Sequence, residues 1–414
     1  MRKFLIVISM IFLFNSCENT VEILVPEYTD GSILTDTEQI PDEVKPRFEG
    51  IYSISKGAGN FGEYMALKWR GNTLSVFGKK LGSYLILKSG IKDSTILFEG
   101  YWRHALNTEN GLIRLQITPE NGARELINGD TLTKPIVFSG SYGFGSDPNT
   151  KSFELTFKRR FSEEAKKKFI IVAHRGGGRN SDYLGVSENS VEMIGKAYQM
   201  GANGIEIDVK LSKDNVPFLY HDPDINLRLT KESPIWGPIE DFSFSQIRTF
   251  LTLINGEQIP TLRETLEFVL NETELRFVWL DMKSNKNTMP YVIPLQKEFM
   301  QRAVAMGRDL MIAVGLPTEE KRQLFMEQPG YEDIFSINEG TVDEVRQTNS
   351  IVWAPRWTLG TQLDLVRQMQ SEGRFVITWT IDQAQFMYQF MNEGEFNGFL
   401  TNYPTLAAYF RLAR

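Results

Sequence analysis

Cysteine is nearly missing from this 414-residue chain, with Cys17 the single example. One cysteine excludes an intrachain disulfide framework and any cysteine-rich zinc site. Histidine is scarce too: His104, His174 and His221 are the whole complement, which rules out a histidine-rich metal centre. The apolar run FLIVISMIFLF at 4–14 is too short for a membrane-spanning helix, which takes about 20 residues. In the carboxyl half, 169–414, no GxGxxG or P-loop string is present, so nothing there supports a nucleotide-binding open sheet. A strong charge of either sign is also lacking. Lys plus Arg number 45 against 52 Asp plus Glu, a net charge of −7, and mild acidity argues against a nucleic-acid partner. What remains is ordinary globular composition, 42% hydrophobic and 23% charged, in a length that suggests two domains.

Arg2 and Lys3, the short apolar run and then Asn15-Ser16-Cys17 fit a secretory signal at 1–16. With the sole cysteine directly after a small residue, the segment resembles a bacterial lipoprotein signal peptide. That resemblance implies that Cys17 becomes the lipidated first residue of an exported protein, anchored to a membrane at the periplasmic face or cell surface. Residues 17–47 carry many acids, few bases, and Pro26, Pro41 and Pro46. They read as a solvated, extended tether.

From 48 to 160 the pattern changes to short apolar and aromatic runs separated by Gly, Asn and Asp. FEGIYSI, EYMALKW, TLSVFG, SYLILK, TILFEGYW, LIRLQI, PIVFSGSY and SFELTFK each read as strands, with Gly71-Asn72 and Asn110-Gly111 as turns. Eight strands without a convincing helix predict an antiparallel barrel or sandwich. His104, at a strand end, reads as a surface or turn residue, and no chemistry-bearing cluster stands out. The charged stretch at 161–168 reads as a hinge crossed by few contacts, so that the part beyond about Lys167 is expected to fold alone.

Beyond it, strand-like and helix-like runs alternate through 169–414, the size of a (β/α)₈ TIM barrel. Polar residues cluster at the carboxyl ends of the predicted strands, the face on which such barrels carry chemistry. His174 and Arg175 end the first strand. Glu206 and Asp208 are two apart on the second and share a side. His221 and Asp222 end the next run, Asp281 and Lys283 are again two apart, and Trp379 lies near the end of a late strand. Each has a bland reading as a turn residue, a local ion pair or core packing. Together they form a kit. Buried carboxylates need a cation, and oxygen ligands favour Mg²⁺ or Ca²⁺. Two histidines can serve as acid and base, and Arg175 and Lys283 can neutralise a phosphate.

These residues resemble the glycerophosphodiester phosphodiesterase family. The likeness runs through AHRGGG (173–178), SENS (187–190), GANGIEIDVKLSKDNVPFLYHD (201–222), IPTLRETL (259–266), Asp-Met-Lys (281–283), WTID (379–382) and NGFLTNYP (397–404). It implies metal-dependent hydrolysis of small glycerophosphodiesters to glycerol 3-phosphate and an alcohol, with an insertion at about 223–260. It makes His174 and His221 the catalytic pair and Arg175 a phosphate ligand. Glu206, Asp208 and Asp281 would hold the metal, Lys283 would stabilise phosphoryl charge, and Trp379 would pack on the glycerol. The chain departs from the family in having Ser187 for Pro, Ser190 for Thr, Asp281 for Glu, and INLRLT after His221-Asp222. The shorter Asp281 predicts either a deeper strand or a water between it and the metal. Two rivals share the framework: a lysophospholipase D-like enzyme, and a non-catalytic lipid- or glycan-binding surface lipoprotein.

Overall fold

The computed structural model describes residues 26–414, so the signal segment and Cys17 lie outside the described residues. Eight strands form first: β1 (Gly50–Lys56), β2 (Tyr64–Arg70), β3 (Thr73–Gly78), β4 (Ser83–Lys92), β5 (Thr95–His104), β6 (Asn110–Ile117), β7 (Val137–Tyr142) and β8 (Lys151–Arg159). Each pairs antiparallel with the next, and β8 returns to β1, closing an up-and-down barrel rather than a sandwich. Strict alternation explains the closure. One face of every strand contributes to an interior of Phe48, Tyr52, Phe61, Phe98, Trp102, Phe138 and Phe153, among others. Phe138 sits within 5.0 Å of Phe98 and 5.5 Å of Tyr52, centroid to centroid. The interior is packed with side chains.

Two expectations for this half need correction. Residues from Tyr28 onward are bound to the barrel wall and do not form a free tether. The Tyr28 hydroxyl accepts from Gly100 N at 2.9 Å and has Gly100 O and Ile113 O at 2.7 Å to share its one proton. Asp30 pairs with Arg114 at 2.6 Å, and Ile40 and Val44 are buried in the core. Acid-rich composition hid the few apolar and aromatic side chains that do the docking. His104 is 1% exposed, held by Glu109 at 3.1 Å and Asn60 O at 3.2 Å. Strand β5 runs two residues further than its apolar run suggests and carries the imidazole inside.

The second barrel uses parallel strands β9 (Ile170–Ala173), β10 (Gly204–Leu211), β14 (Phe277–Met282), β15 (Met311–Leu316), β16 (Ser336–Asn338), β17 (Val352–Trp353), β18 (Phe375–Thr378) and β19 (Gly398–Thr401). Between β10 and β14 come the short strands β11 (Pro217–Leu219), β12 (Asp224–Ile225) and β13 (Gly237–Pro238). Strand β19 pairs with β9 and β9 with β10, which closes the eight; each is followed by a helix before the next, and Pro404–Leu412 follows the last. This is the (β/α)₈ architecture. Strand β11 runs antiparallel on β10 and lies outside the barrel ring, a distinction that alternation alone cannot make. Along β14, Phe277 and Trp279 point into the barrel core and Asp281 continues the same line to the mouth, while Val278 and Leu280 face the helices.

The two barrels are not loosely hinged. Ile51, Ala66, Phe77, Tyr84 and Ile86 of the first pack in one apolar cluster with Phe169, Met200, Leu406, Ala408 and Leu412 of the second. Ser75 Oγ donates to Gln199 O at 2.7 Å across this contact. Gly201 shows how close the approach is: a Cβ there would lie 2.4 Å from Ala408 Cβ and 3.0 Å from the Phe77 ring. Within 161–168, Ser162 caps the turn Glu163–Lys166 and its hydroxyl donates to Arg414 O at 2.8 Å. The crossing contacts are extensive, not the few that the charged stretch suggested.

Candidate active site

The carboxyl ends of β9, β10 and β14 bring the acids and histidines together. Glu206 and Asp208 face inward from β10, and register places Asp208 directly beside Asp281 of β14. Glu206, Asp208 and Asp281 each offer an oxygen within 4.8 Å of the other two. Each also retains one buried oxygen without a hydrogen-bond partner: Glu206 Oε1, Asp208 Oδ1 and Asp281 Oδ1. Burial, then repulsion from Asp208 and Asp281, pushes the Glu206 carboxyl well above the usual range. Burial likewise raises Asp281, with Asp208 adding to it against Lys283. Burial would raise Asp208 as well, but Lys283, His221 and Arg175 pull it below its ordinary value. Three converging carboxylates with three orphaned oxygens fit a hard divalent cation.

Lys283 Nζ lies 2.6 Å from Asp281 and 3.7 Å from Asp208. Burial works against its charge, yet the three acids hold it protonated beyond its usual range. His174 directly follows β9. Its Nδ1 is 2.7 Å from Asn402 Oδ1, and the Asn402 amide nitrogen donates to Asp382 at 2.6 Å. That second bond fixes the amide so that Asn402 Oδ1 can only accept; His174 Nδ1 carries the proton, and the neutral ring presents Nε2 as an acceptor. This nitrogen is 3.8 Å from Glu206. Burial, then Arg175, lowers the His174 pKa. In His221, Nε2 accepts from Arg175 Nη2 at 2.8 Å and Nδ1 lies 2.6 Å from Asp222. Despite burial, hydrogen bonds from Arg228, His221 and Asn226 keep Asp222 below the ordinary carboxylate range.

Arg175 takes a left-handed backbone with φ of 51°. Its N–H then donates to Glu206 at 2.8 Å while Nη1 reaches Glu188 at 2.9 Å. The SENS stretch is fully engaged. Ser187 bonds Glu257, Glu188 holds Arg175 and Arg228, and Asn189 exchanges two bonds with Asp208. Ser190 accepts from Met193 N and caps the helix Val191–Gln199. On the far side of the mouth, Trp379 donates to Ala354 O at 2.9 Å, and the Arg356 guanidinium lies 5.3 Å from its ring. With Trp357, Thr358 and Thr380 they line a cleft of about 380 Å³.

All eight residues singled out in the sequence therefore lie at one barrel mouth. Asn402, Asp382, Glu188, Asn189 and Arg228, which orient them, were not singled out, and Asp222 was noted only as ending its run beside His221. The signal was present, since all but Arg228 fall in the quoted motifs and Arg228 falls in the divergent INLRLT. Glu339, just after β16, was also passed over; burial and then Asp281 push its carboxyl up to about 8.

A parallel eightfold barrel with an acidic cluster and two histidines at its carboxyl mouth defines the class. Residues 174–406 match the glycerophosphoryl diester phosphodiesterase family, and the chain belongs to it. It is 33% identical over 108 residues to a glycerophosphodiester phosphodiesterase of Caldanaerobacter subterraneus, covering 25% of this chain and 41% of that protein. It is 34% identical over 114 residues to human glycerophosphodiester phosphodiesterase 1, covering 26% and 32%. The matches thus span less than half the length of these curated relatives. Among solved structures, a glycerophosphodiester phosphodiesterase from Parabacteroides distasonis aligns at 21% identity and TM-score 0.45, covering 57% of this chain and 94% of that one. An Oleispira antarctica phosphodiesterase solved with the product sn-glycerol 3-phosphate aligns at 17% and 0.46, with the same coverage.

Proposed function

We propose that the protein hydrolyses glycerophosphodiesters to glycerol 3-phosphate and an alcohol. The observation that carries this reading is the set of three acids with orphaned oxygens beside two histidines, at the mouth of a barrel that belongs to this family. Glu206, Asp208 and Asp281 would hold a divalent metal, Mg²⁺ or Ca²⁺. Bound there, the metal supplies Lewis-acid polarisation of the phosphoryl oxygen. Arg175, whose Nε makes no hydrogen bond, and Lys283 offset charge on the remaining phosphate oxygens. Of His174 and His221, one takes the proton from the neighbouring glycerol hydroxyl as its oxygen attacks phosphorus. The other gives a proton to the departing alcohol oxygen. Water then opens the cyclic phosphate with the roles reversed. Trp379 offers an apolar face for the glycerol.

Exposed apolar side chains near the mouth favour a second substrate type. Trp236 is 83% exposed and Leu227 70%, both in the segment that joins β12 to β13 after His221. Such a rim suits an acyl chain, as in a lysophospholipid. Release of glycerol 3-phosphate from glycerophosphocholine with added metal tests the main reading. Turnover confined to lysophospholipids would select the second, and no turnover on either would leave a binding protein. We also infer that the chain is exported and anchored through lipid on Cys17, on the strength of residues 2–17. Equal membrane association of wild type and Cys17→Ala on cell fractionation would overturn the anchor.

A further inference from the structure

The loop between β9 and the helix Val191–Gln199 carries the residues that hold Arg175, and it is gripped from the other barrel. Arg103, on β5, is 5% exposed. Its Nη1 donates to Tyr183 O at 2.6 Å and its Nη2 to Asp182 O at 3.0 Å. Both carbonyls lie at the end of the short turn Asn180–Asp182, which Tyr183 N closes onto Asn180 O, and a planar guanidinium suits two acceptors in adjacent residues. From that turn the bonds lead inward. Asn180 N donates to Glu188 Oε2, and Glu188 N donates back to Asn180 Oδ1, both at 2.9 Å. The other oxygen of Glu188 takes Arg175 Nη1 at 2.9 Å, and Arg175 Nη2 reaches His221 at 2.8 Å. A buried guanidinium of the antiparallel barrel thus lies at one end of an unbroken chain of hydrogen bonds, with a candidate catalytic imidazole at the other.

We propose that Arg103 is a positioning residue for the phosphodiesterase site, and that the antiparallel barrel serves as its brace. The proposal rests on the function given above and extends it to a domain that contributes no acid or histidine to the mouth. Arg103 touches neither substrate nor metal. It fixes the turn, the turn fixes Glu188, and Glu188 fixes the side chain that meets the phosphate.

Arg103→Gln removes the fork and leaves two carbonyls short of a donor. Tryptic cleavage after Arg179 should quicken about tenfold, because local opening of the turn exposes that bond. KM for glycerophosphocholine should rise by about the same factor, with kcat less affected, as expected for a loosened phosphate contact. Arg103→Lys, which keeps the charge without the fork, should fall between wild type and Arg103→Gln. Should Arg103→Gln be insoluble, the lysine variant carries the test with the same readouts. Ser75→Ala, which cuts a different bond between the same barrels, should alter neither cleavage after Arg179 nor KM. Unchanged cleavage in the Arg103 variants would overturn the brace, and faster cleavage with unchanged kinetics would show that it stops short of the site. If the wild type cleaves no glycerophosphodiester, the functional reading falls and the cleavage rates alone decide the brace.

Discussion

Both halves of the chain close eight strands into a barrel, and they spend their interiors differently. The antiparallel barrel fills its centre with aromatic rings stacked edge to face. Its buried polar side chains Arg103 and His104 are held by protein partners, and the atoms left unpaired there, such as Arg103 Nε and Trp69 Nε1, are single and scattered. The parallel barrel packs only its lower layers, with Phe277, Trp279, Ile337, Val352 and Ile377. At its mouth it keeps three carboxylates, each with one buried oxygen that lacks a hydrogen-bond partner. Three orphaned carboxylate oxygens converging on one point, unlike single scattered atoms, point to a ligand. Stability resides in the first arrangement and chemistry in the second.

That division can be broken experimentally. The largest effect is expected from Phe138→Ala, at the centre of the aromatic interior: a loss of about 3–5 kcal/mol of stability by denaturant titration. Turnover by the fraction still folded should be unchanged; a proportionate drop in kcat would blur the division. His174→Ala and His221→Ala should do the converse. Each should lower turnover at least about 10²-fold while leaving circular dichroism and the unfolding midpoint near wild type. Near-normal activity in either would remove that histidine from the proposed mechanism.

Asp281→Ala should weaken divalent-metal binding about 10- to 100-fold, read by calorimetric titration, whereas Asp281→Glu should bind at least as well as wild type. Equal affinity of Asp281→Ala and wild type would take Asp281 out of the ligand set. The smallest effect concerns pH. Burial lowers the pKa of His104, with Glu109 opposing, so the unfolded chain binds a proton that the folded one refuses. Stability should therefore fall as pH drops below about 6.5, the unfolded value. His174, lowered in the same direction, contributes as well. A His104→Gln variant should show a shallower decline, and an identical pH profile would contradict the assignment.

Much of this was legible in the sequence, for reasons that can be named. Alternation of apolar residues, with Gly and Asn at the turns, marks all eight strands of the first barrel, because closure requires one buried face per strand. In β14 the same alternation predicts that Asp281 and Lys283 share a side, as their 2.6 Å contact bears out. Alternation does not encode strand direction, however, so β11 reads like any other strand of the series. Nor does it encode partners distant in the chain. Tyr28 finds its acceptors at Gly100 and Ile113, and Asn402 meets His174 more than two hundred residues away. The apolar faces of Phe77 and Tyr84 look like ordinary strand residues until a second barrel is laid against them.

The docking of Tyr28 against the barrel wall changes how far the body could travel under the proposed anchor at Cys17. A free run from 17 to 47 would extend about 100 Å, but the backbone from Cys17 to Tyr28 covers at most about 40 Å. With lipid on Cys17, the body would be confined to a thin layer above the bilayer, never far from its anchor. Over so short a leash, molecules that stay in or near that surface would be met at a high local concentration, while those in the surrounding fluid would be met at their bulk one.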